Sequence, residues 1–439
     1  MEGMTFLLIF LFLMSLSAIL PQIARMVHIP SVVCILLIGM AIGPNAFDLI
    51  SFLNRIMESG SDTESFYFII DSIGLLGLVF LMALAGMEVE VDIIKSEKKA
   101  VFWLSFLTLA IPAVAGYFVY GAFMPKDNIG KLVYASLFAS HAVGLVFPII
   151  KELKVVKTRF GISVLASTVI TDIVSLVLLA VCIQMKRQSI TSDVPNSISL
   201  FDKLDPKLLG NYFIPLFILV VTAFIGLTIW ILPKLGKYVF ERISPHDDSR
   251  LTFFLVGVMV VVLIGELLGI SVIVGAFVAG MALTRTDGFH DYSSILHKKI
   301  EGMGYGMLIP FLFLSIGMKT DLPILFSAKE NFAIVLLTLA ALLTSKVVSG
   351  WLAMRISGFD NKKGLCAGLM TVPQLSATLA AASVALQLQM IDVRFFNAIV
   401  CLSILTTIPI PTLIKLIIVK GEIEFVKTDV EEETETEVK

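Results

Sequence analysis

Ile29-Pro-Ser-Val-Val-Cys-Ile-Leu-Leu-Ile-Gly-Met-Ala-Ile42 is a short apolar stretch that the chain repeats as Ile270-Ser-Val-Ile-Val-Gly-Ala-Phe-Val-Ala-Gly-Met-Ala-Leu283. The two stretches share their first residue and a Gly-Met-Ala sequence at the same internal spacing. Another matching pair follows in the same order, Gly86-Met-Glu88 and Gly317-Met-Lys319. Apolar helices rich in glycine can resemble one another by chance, but two matches in consistent order favour an internal repeat.

The composition around these repeats is typical of a membrane protein. Of the 439 residues, 57% are hydrophobic, which is more apolar surface than a soluble chain of this length can bury. A helix needs about 20 mostly apolar residues to cross a bilayer. Thirteen segments fit this pattern, the eighth and ninth being separated only by Gly269. They run near 5–24, 31–52, 67–87, 101–124, 131–151, 159–185, 210–233, 251–268, 270–284, 301–318, 331–356, 363–389 and 394–419.

The repeat and the spans together predict the architecture. Matching spans are seven apart, and an odd offset turns the second copy over in the membrane. We therefore expect an all-α polytopic membrane protein of about 13 transmembrane helices in two inverted repeats, with two broken helices crossing near the midplane. The transmembrane domain covers 1–419, with repeat one at about 5–185, a linker helix at about 210–233 and repeat two at about 251–419. Residues 420–439, rich in Glu and Thr, are expected to form a disordered cytoplasmic tail.

Lysine and arginine in the loops indicate the orientation, because cytoplasmic loops carry an excess of both. With the N-terminus outside, the inside loops hold most of these residues, for example Lys95, Lys98 and Lys99. The longest outside loop is an exception, since it contains Lys186 and Arg187. The distribution favours a multi-pass protein of the inner or plasma membrane with its C-terminus in the cytoplasm.

Asp172 is the strongest functional candidate. It lies halfway along the sixth span, in Ser167-Thr-Val-Ile-Thr-Asp-Ile-Val-Ser175. An ionisable group at this depth is costly and marks a functional site by default. In an apolar environment a carboxyl group is stable as a neutral acid or as a carboxylate with a bound cation. Asp172 could therefore bind a proton and a monovalent metal cation in turn, with Thr171 as its neutral neighbour; the alternative is permanent pairing with a lysine for packing.

Lys346 is the second ionisable residue deep in a span, in Thr344-Ser-Lys-Val-Val348 of the eleventh. We expect it to stabilise the empty site as the counter-charge of Asp172. The alternative is that its side chain extends to the inner surface, as lysines near the ends of membrane helices do.

Two spans contain helix breakers, at Ser140-His-Ala-Val-Gly144 in the fifth and at Thr371-Val-Pro-Gln-Leu-Ser376 in the twelfth. These spans are seven apart, so the breaks occupy equivalent positions of the two repeats. Half-helix ends would direct their backbone dipoles at each other and at Asp172. The broken-helix candidates are Ser140, His141, Gly144, Thr371, Pro373 and Gln374.

His141 is unusual at a helix break. Because histidine titrates near neutral pH, both a pH-sensing role and a neutral, hydrogen-bonded role are open.

Several function classes are disfavoured. The net charge of −2 and the lack of a basic patch argue against nucleic acid as a partner. The sequence has no paired catalytic carboxylates, no His-x-x-Glu-His and no Ser-Lys or Ser-His constellation at matched depth in the membrane, so we expect no enzyme and no cofactor besides the transported ions. A channel is less consistent with two occluding half-helices than alternating access is. A non-transporting membrane sensor or scaffold that kept the fold remains the alternative.

The same segments resemble the monovalent cation:proton antiporter-2 family over nearly the whole membrane part. The stretch from Ile29 to Pro44 resembles that family's second helix, P-x-V-x-x-x-L-x-G-x-x-x-G-P. Gly275-Ala-Phe-Val-Ala-Gly-Met281 is similar to its G-A-F-L-A-G-L motif, and Pro310 to Met318 is similar to its P-x-F-F-x-x-x-G-x motif. The stretch from Ser140 to Asp172 resembles its broken helix followed by its acidic-motif helix.

This resemblance implies a sodium or potassium/proton exchanger built from a dimerisation domain and a six-helix core domain that moves as an elevator. It implies a homodimer in membrane lipid, with the ion bound at Asp172 and Lys346 as the basic residue of the eleventh span. The chain departs from the family where Thr171 replaces the residue before the aspartate, which is a second Asp in electrogenic members. It also has Pro373-Gln-Leu-Ser376 where the family has a segment ending in Glu. With one titrating carboxylate, exchange is expected to be electroneutral.

Overall fold

The fold is described from a computed structural model. It describes residues 2–26, 31–49, 51–52, 63–87, 97–141, 146, 150, 155, 158–189, 213–242, 247–285, 295–410, 413–414 and 417. Gly144 of the first predicted helix break and the predicted tail 420–439 lie outside these residues.

Within the described residues, the regular elements are helices. They are α1 (Glu2–Met26), α2 (Ser31–Ile42), α3 (Thr63–Met87), α4 (Lys98–Phe123), α5 (Asn128–Ala139), α6 (Arg159–Ser189), α7 (Phe213–Arg242), α8 (Asp247–Leu267), α9 (Val272–Leu283), α10 (Ile295–Met303), α11 (Ile309–Lys319), α12 (Leu322–Ser327), α13 (Lys329–Ile356), α14 (Asn361–Met370), α15 (Ser376–Gln387) and α16 (Val393–Thr407). A π-helical turn, Gly304–Leu308, joins α10 to α11.

The predicted all-α membrane fold is confirmed. Among the described residues, seven helices are long and apolar enough to cross a membrane, and five shorter apolar helices accompany them. The number of thirteen crossings stays a prediction. The expected boundary at Gly269 is present: this residue has φ +75°, a conformation that favours glycine, and it separates α8 from α9.

The chain forms two compact units. The first comprises residues 1–88, 180–332 and 392–397, and the second comprises 89–179, 333–391 and 398–439. Each unit therefore draws helices from both predicted repeats.

In the first unit, the repeated Gly-Met-Ala stretches pack in equivalent ways. A Cβ atom at Gly39 would lie 2.5 Å from the carbonyl oxygen of Leu314. A Cβ atom at Gly280 would lie closer still to the carbonyl oxygen of Ala83. Leu314 and Ala83 each precede the glycine of their own Gly-Met pair by three residues. The two helix pairs α2–α11 and α9–α3 thus make the same close contact, which gives the sequence repeat a structural counterpart.

In the second unit, both predicted broken helices are interrupted. Helix α5 begins after Asp127, whose side chain accepts a hydrogen bond from Gly130 N–H, and it ends at Ala139. In the other segment, α14 ends at Met370 and α15 begins at Ser376, after five residues that belong to neither helix. Helix α5 is attached to α13 by the hydroxyls of Tyr134 and Thr338, 2.7 Å apart. This contact holds α5, whose C-terminal end is the first break, against α13.

Candidate ion-binding site

The two helix breaks lie against each other within the second unit. Gln374 Nε2 donates to the carbonyl oxygen of Ser140 at 2.8 Å. The Ser140 and Thr378 hydroxyls are 3.0 Å apart, and Thr378 donates to Gln374 Oε1 at 2.5 Å. Gln374, two residues before α15 begins, therefore satisfies a backbone carbonyl that the end of α5 leaves without a helical partner.

Asp172 lies beside the first break. It belongs to α6, and only 4% of its surface is exposed. Its Oδ1 accepts a hydrogen bond of 2.8 Å from the backbone N–H of His141. The break thus frees an N–H group that a continuous helix would have used internally, and that group now binds the carboxylate.

Lys346 is fully buried on α13, but it does not pair directly with Asp172. Its Nζ donates to the carbonyl oxygens of Ala139, at 3.2 Å, and Ser140, at 2.7 Å. Both charged residues are among those described, and no ion pair within 4 Å joins them. Carbonyls at a helix C-terminus carry partial negative charge, so the end of α5 is a favourable site for an ammonium group. Lys346, the expected counter-charge of Asp172, is thus in direct contact with the broken helix, and its electrostatic role toward Asp172 stays a prediction.

One peptide group connects the two charges. The carbonyl of Ser140, which binds Lys346, and the N–H of His141, which binds Asp172, belong to the same peptide bond. In a trans peptide these groups point in opposite directions. The peptide dipole therefore presents its negative end to the lysine and its positive end to the carboxylate.

The side chains of His141 and Thr171 complete the group of residues around Asp172 and Lys346. The imidazole Nδ1 is 2.5 Å from the Thr171 hydroxyl, and Nε2 is 3.3 Å from Lys346 Nζ. The Thr171 hydroxyl also lies 2.9 Å from the carbonyl oxygens of Ser167 and Thr168. Sequence reasoning selected His141 because of its position, and the structure brings both of its ring nitrogens into the site.

The remaining predicted residues shape the second break. Thr371 closes the last turn of α14, with its hydroxyl donating to the carbonyl of Gly368 at 2.7 Å. Pro373 is buried in the non-helical residues that follow, where its missing N–H prevents the helix from continuing. Thr378 is absent from the predicted site; it lies in the first turn of α15, four residues after Gln374, and its hydroxyl contacts both Gln374 and Ser140.

Comparison with known proteins identifies the family. The family model described as "Sodium/hydrogen exchanger, transmembrane" matches residues 9–420. The chain is 32% identical to the "Probable Na(+)/H(+) antiporter 3" of Methanocaldococcus jannaschii over 411 residues, 94% of this chain and 96% of that protein. It is 27% identical to the "Na(+)/H(+)-K(+) antiporter GerN" of Bacillus cereus over 388 residues, 88% of this chain and 89% of that one.

A solved structure has the same fold. The sodium proton antiporter MjNhaP1 from Methanocaldococcus jannaschii at pH 8 matches 94% of this chain and 97% of its own, with a TM-score of 0.64 and 17% identity. At that identity the likeness concerns the fold alone. The family match, in contrast, covers most of the sequence and includes every site residue described above. The chain therefore belongs to the sodium/hydrogen exchanger family of membrane cation/proton antiporters.

Proposed function

We propose that the protein is a secondary active antiporter that exchanges Na+ or K+ for protons, and that Asp172 binds the cation and the proton in turn. The observation that carries this proposal is the burial of Asp172 beside a helix break, where the backbone N–H of His141 holds it. An ionised carboxylate in an apolar site requires a partner charge. Since Lys346 is engaged by backbone carbonyls, a transported cation supplies that charge, and a proton removes the need for it.

The proposed transport mode is alternating access of the elevator type. The site residues from α5, α6, α13 and α15 all belong to one compact unit. Their mutual hydrogen bonds hold the site together, so the unit can move as a rigid body without breaking them. Movement of the loaded unit then exposes Asp172 first to one side of the membrane and then to the other.

The exchange is proposed to be electroneutral. Thr171 stands where electrogenic relatives in the resembled family have a second carboxylate, and a threonine hydroxyl does not ionise at physiological pH. One proton on Asp172 then exchanges for one monovalent cation. Both loaded forms of the site carry the same charge.

The setting of this activity is the cell membrane. The loop charges support a cytoplasmic C-terminus, and the sequence resemblance supports a homodimer. The names of relatives support Na+ as the first cation to test, with K+ as the second.

The test uses purified protein in liposomes that contain a pH-sensitive dye. After an imposed pH gradient, Na+, K+ or Li+ is added in turn, and the rate of gradient collapse is measured. The proposal predicts saturable collapse with at least one cation and none in liposomes with Asp172→Asn. If no monovalent cation collapses the gradient in liposomes with the folded wild-type protein, the sensor or scaffold alternative replaces it.

A further inference from the structure

His141 contacts three groups of the proposed site. Its backbone N–H binds Asp172, its Nδ1 meets Thr171, and its Nε2 meets Lys346. Only 1% of the surface of His141 is exposed, so bulk water cannot replace these partners. The imidazole therefore connects Thr171 on α6 with Lys346 on α13, while the backbone of the same residue holds Asp172.

The partners of Thr171 determine which ring nitrogen carries the hydrogen. Its hydroxyl has one proton, and two backbone carbonyl oxygens, which can only accept, lie 2.9 Å away. That proton is therefore directed at a carbonyl, and the hydroxyl oxygen accepts from His141 Nδ1–H. In this tautomer, Nε2 has a free lone pair, and it faces Lys346.

Lys346 consequently has three acceptors for its three ammonium hydrogens. They are the carbonyl oxygens of Ala139 and Ser140, and Nε2 of His141. A buried donor without an acceptor is costly, so the loss of any one of them favours a new partner. Asp172 is an anionic candidate close by, since the peptide group between Ser140 and His141 is bound by both side chains.

A lysine that paired with Asp172 would compete with the transported cation for the same carboxylate. From this geometry, and resting on the proposed function of Asp172, we propose that His141 is a positioning residue that holds Lys346 on the end of α5 and away from Asp172. Through that contact His141 sets the affinity of the carboxylate for the cation. It acts as a hydrogen-bonded neutral ring, and no change in its protonation is required.

Two substitutions separate the contacts of the ring. The amide of Gln reaches the position of Nε2, so His141→Gln keeps an acceptor for Lys346. The amide of Asn reaches only the position of Nδ1, so His141→Asn keeps the contact with Thr171 and loses the contact with Lys346. Both variants retain the backbone N–H that binds Asp172. The two variants therefore keep opposite contacts of the ring, and the proposal concerns the one with Lys346, which only His141→Gln retains.

The experiment measures KM and maximal rate for the transported cation at fixed pH in proteoliposomes. For His141→Asn, the apparent KM should rise about tenfold, the scale of one hydrogen bond to a charged group, with a smaller change in maximal rate. His141→Gln should recover most of the affinity. Equal KM values for the two variants, or a fall in maximal rate at unchanged KM, would overturn the proposal.

Further samples distinguish a failure to fold, and a failure of the proposed function, from a failure of this inference. If His141→Asn does not fold, Thr171→Val takes its place, because it removes the hydroxyl that orients the ring. Its KM should also rise, and an unchanged KM counts against the proposal. Wild type and Asp172→Asn are measured in parallel. Exchange that is absent in wild type, or that survives in Asp172→Asn, contradicts the proposed function. If wild type exchanges, Asp172→Asn does not, and the two His141 variants have the same KM, only the inference about His141 is contradicted.

Discussion

Lys346 and Asp172 bind opposite edges of the same peptide group. Lys346 Nζ lies 2.7 Å from the carbonyl oxygen of Ser140, and Asp172 Oδ1 lies 2.8 Å from the N–H of His141. The lysine thus contacts the broken end of α5, and the carboxylate accepts from the N–H on the other side of the peptide group.

Asp172→Asn should reduce cation-dependent proton flux to the level of empty liposomes. An amide neither releases a proton nor balances the charge of a cation, yet its oxygen can still accept from the N–H of His141. The variant should therefore insert and remain monodisperse in detergent with nearly unchanged thermal stability. Saturable flux in this variant would disprove the role of Asp172.

Lys346→Met should lower the melting temperature in detergent, measured without a transported cation. Methionine has a similar length but no donors, so the carbonyl of Ala139 loses its lysine partner in a buried site. Each buried acceptor left unpaired costs about 1–3 kcal/mol. The control is Lys329→Met at the exposed start of the same helix, which should change the melting temperature little. Equal effects of the two substitutions would contradict the assigned contacts.

Gln374→Leu should loosen the contact between the two helix breaks. It removes the donor to Ser140 and the acceptor of Thr378 while keeping a similar volume. Hydrogen–deuterium exchange should then increase in peptides that contain the end of α5, and the transport rate should fall. Gln387→Leu, at the exposed end of α15, is the matched control. Unaltered exchange in the α5 peptides would show that Gln374 does not hold the break together.

Gly280→Ala should destabilise the first unit, because the added carbon would overlap the backbone of Ala83. Overpacking of this kind costs about 1–3 kcal/mol. Gly226→Ala on α7 is the control, since a carbon there meets nothing within 4 Å and alanine favours a helix. A lower melting temperature is expected only for Gly280→Ala. If Gly226→Ala is equally destabilising, the close helix contact is not the cause.

Exchange should generate no sustained current on a solid-supported membrane under a cation gradient. The charge count gives one cation for one proton, because Thr171 supplies no second carboxylate. Installing that group with Thr171→Asp is the informative comparison, since a charge-translocating cycle then becomes possible. Sustained current from the wild-type protein would refute electroneutral exchange.

Local features of the sequence sufficed for part of this description. The apolar runs, the proline and glycine breakers and the buried aspartate each act through a property of their own segment. Burial of apolar surface, loss of a backbone N–H at proline and the cost of a charge in lipid do not depend on distant partners. For that reason the helical membrane fold, the two breaks and the candidate Asp172 followed from the sequence, together with the repeat that relates α2 to α9.

The tertiary structure decided which groups bind one another. Lys346 and Ser140 are 206 positions apart, and Gln374 and Ser140 are 234 apart, so no local pattern specifies these hydrogen bonds. The sequence suggested Lys346 as a counter-charge of Asp172, since opposite charges attract in a medium of low dielectric, but it did not specify which atoms the lysine binds. Packing of α13 against the end of α5 places three acceptors within hydrogen-bond distance of Lys346, and the lysine side chain binds these neighbours. The role of His141 as the third acceptor could be recognised only once both of its ring nitrogens had partners in space.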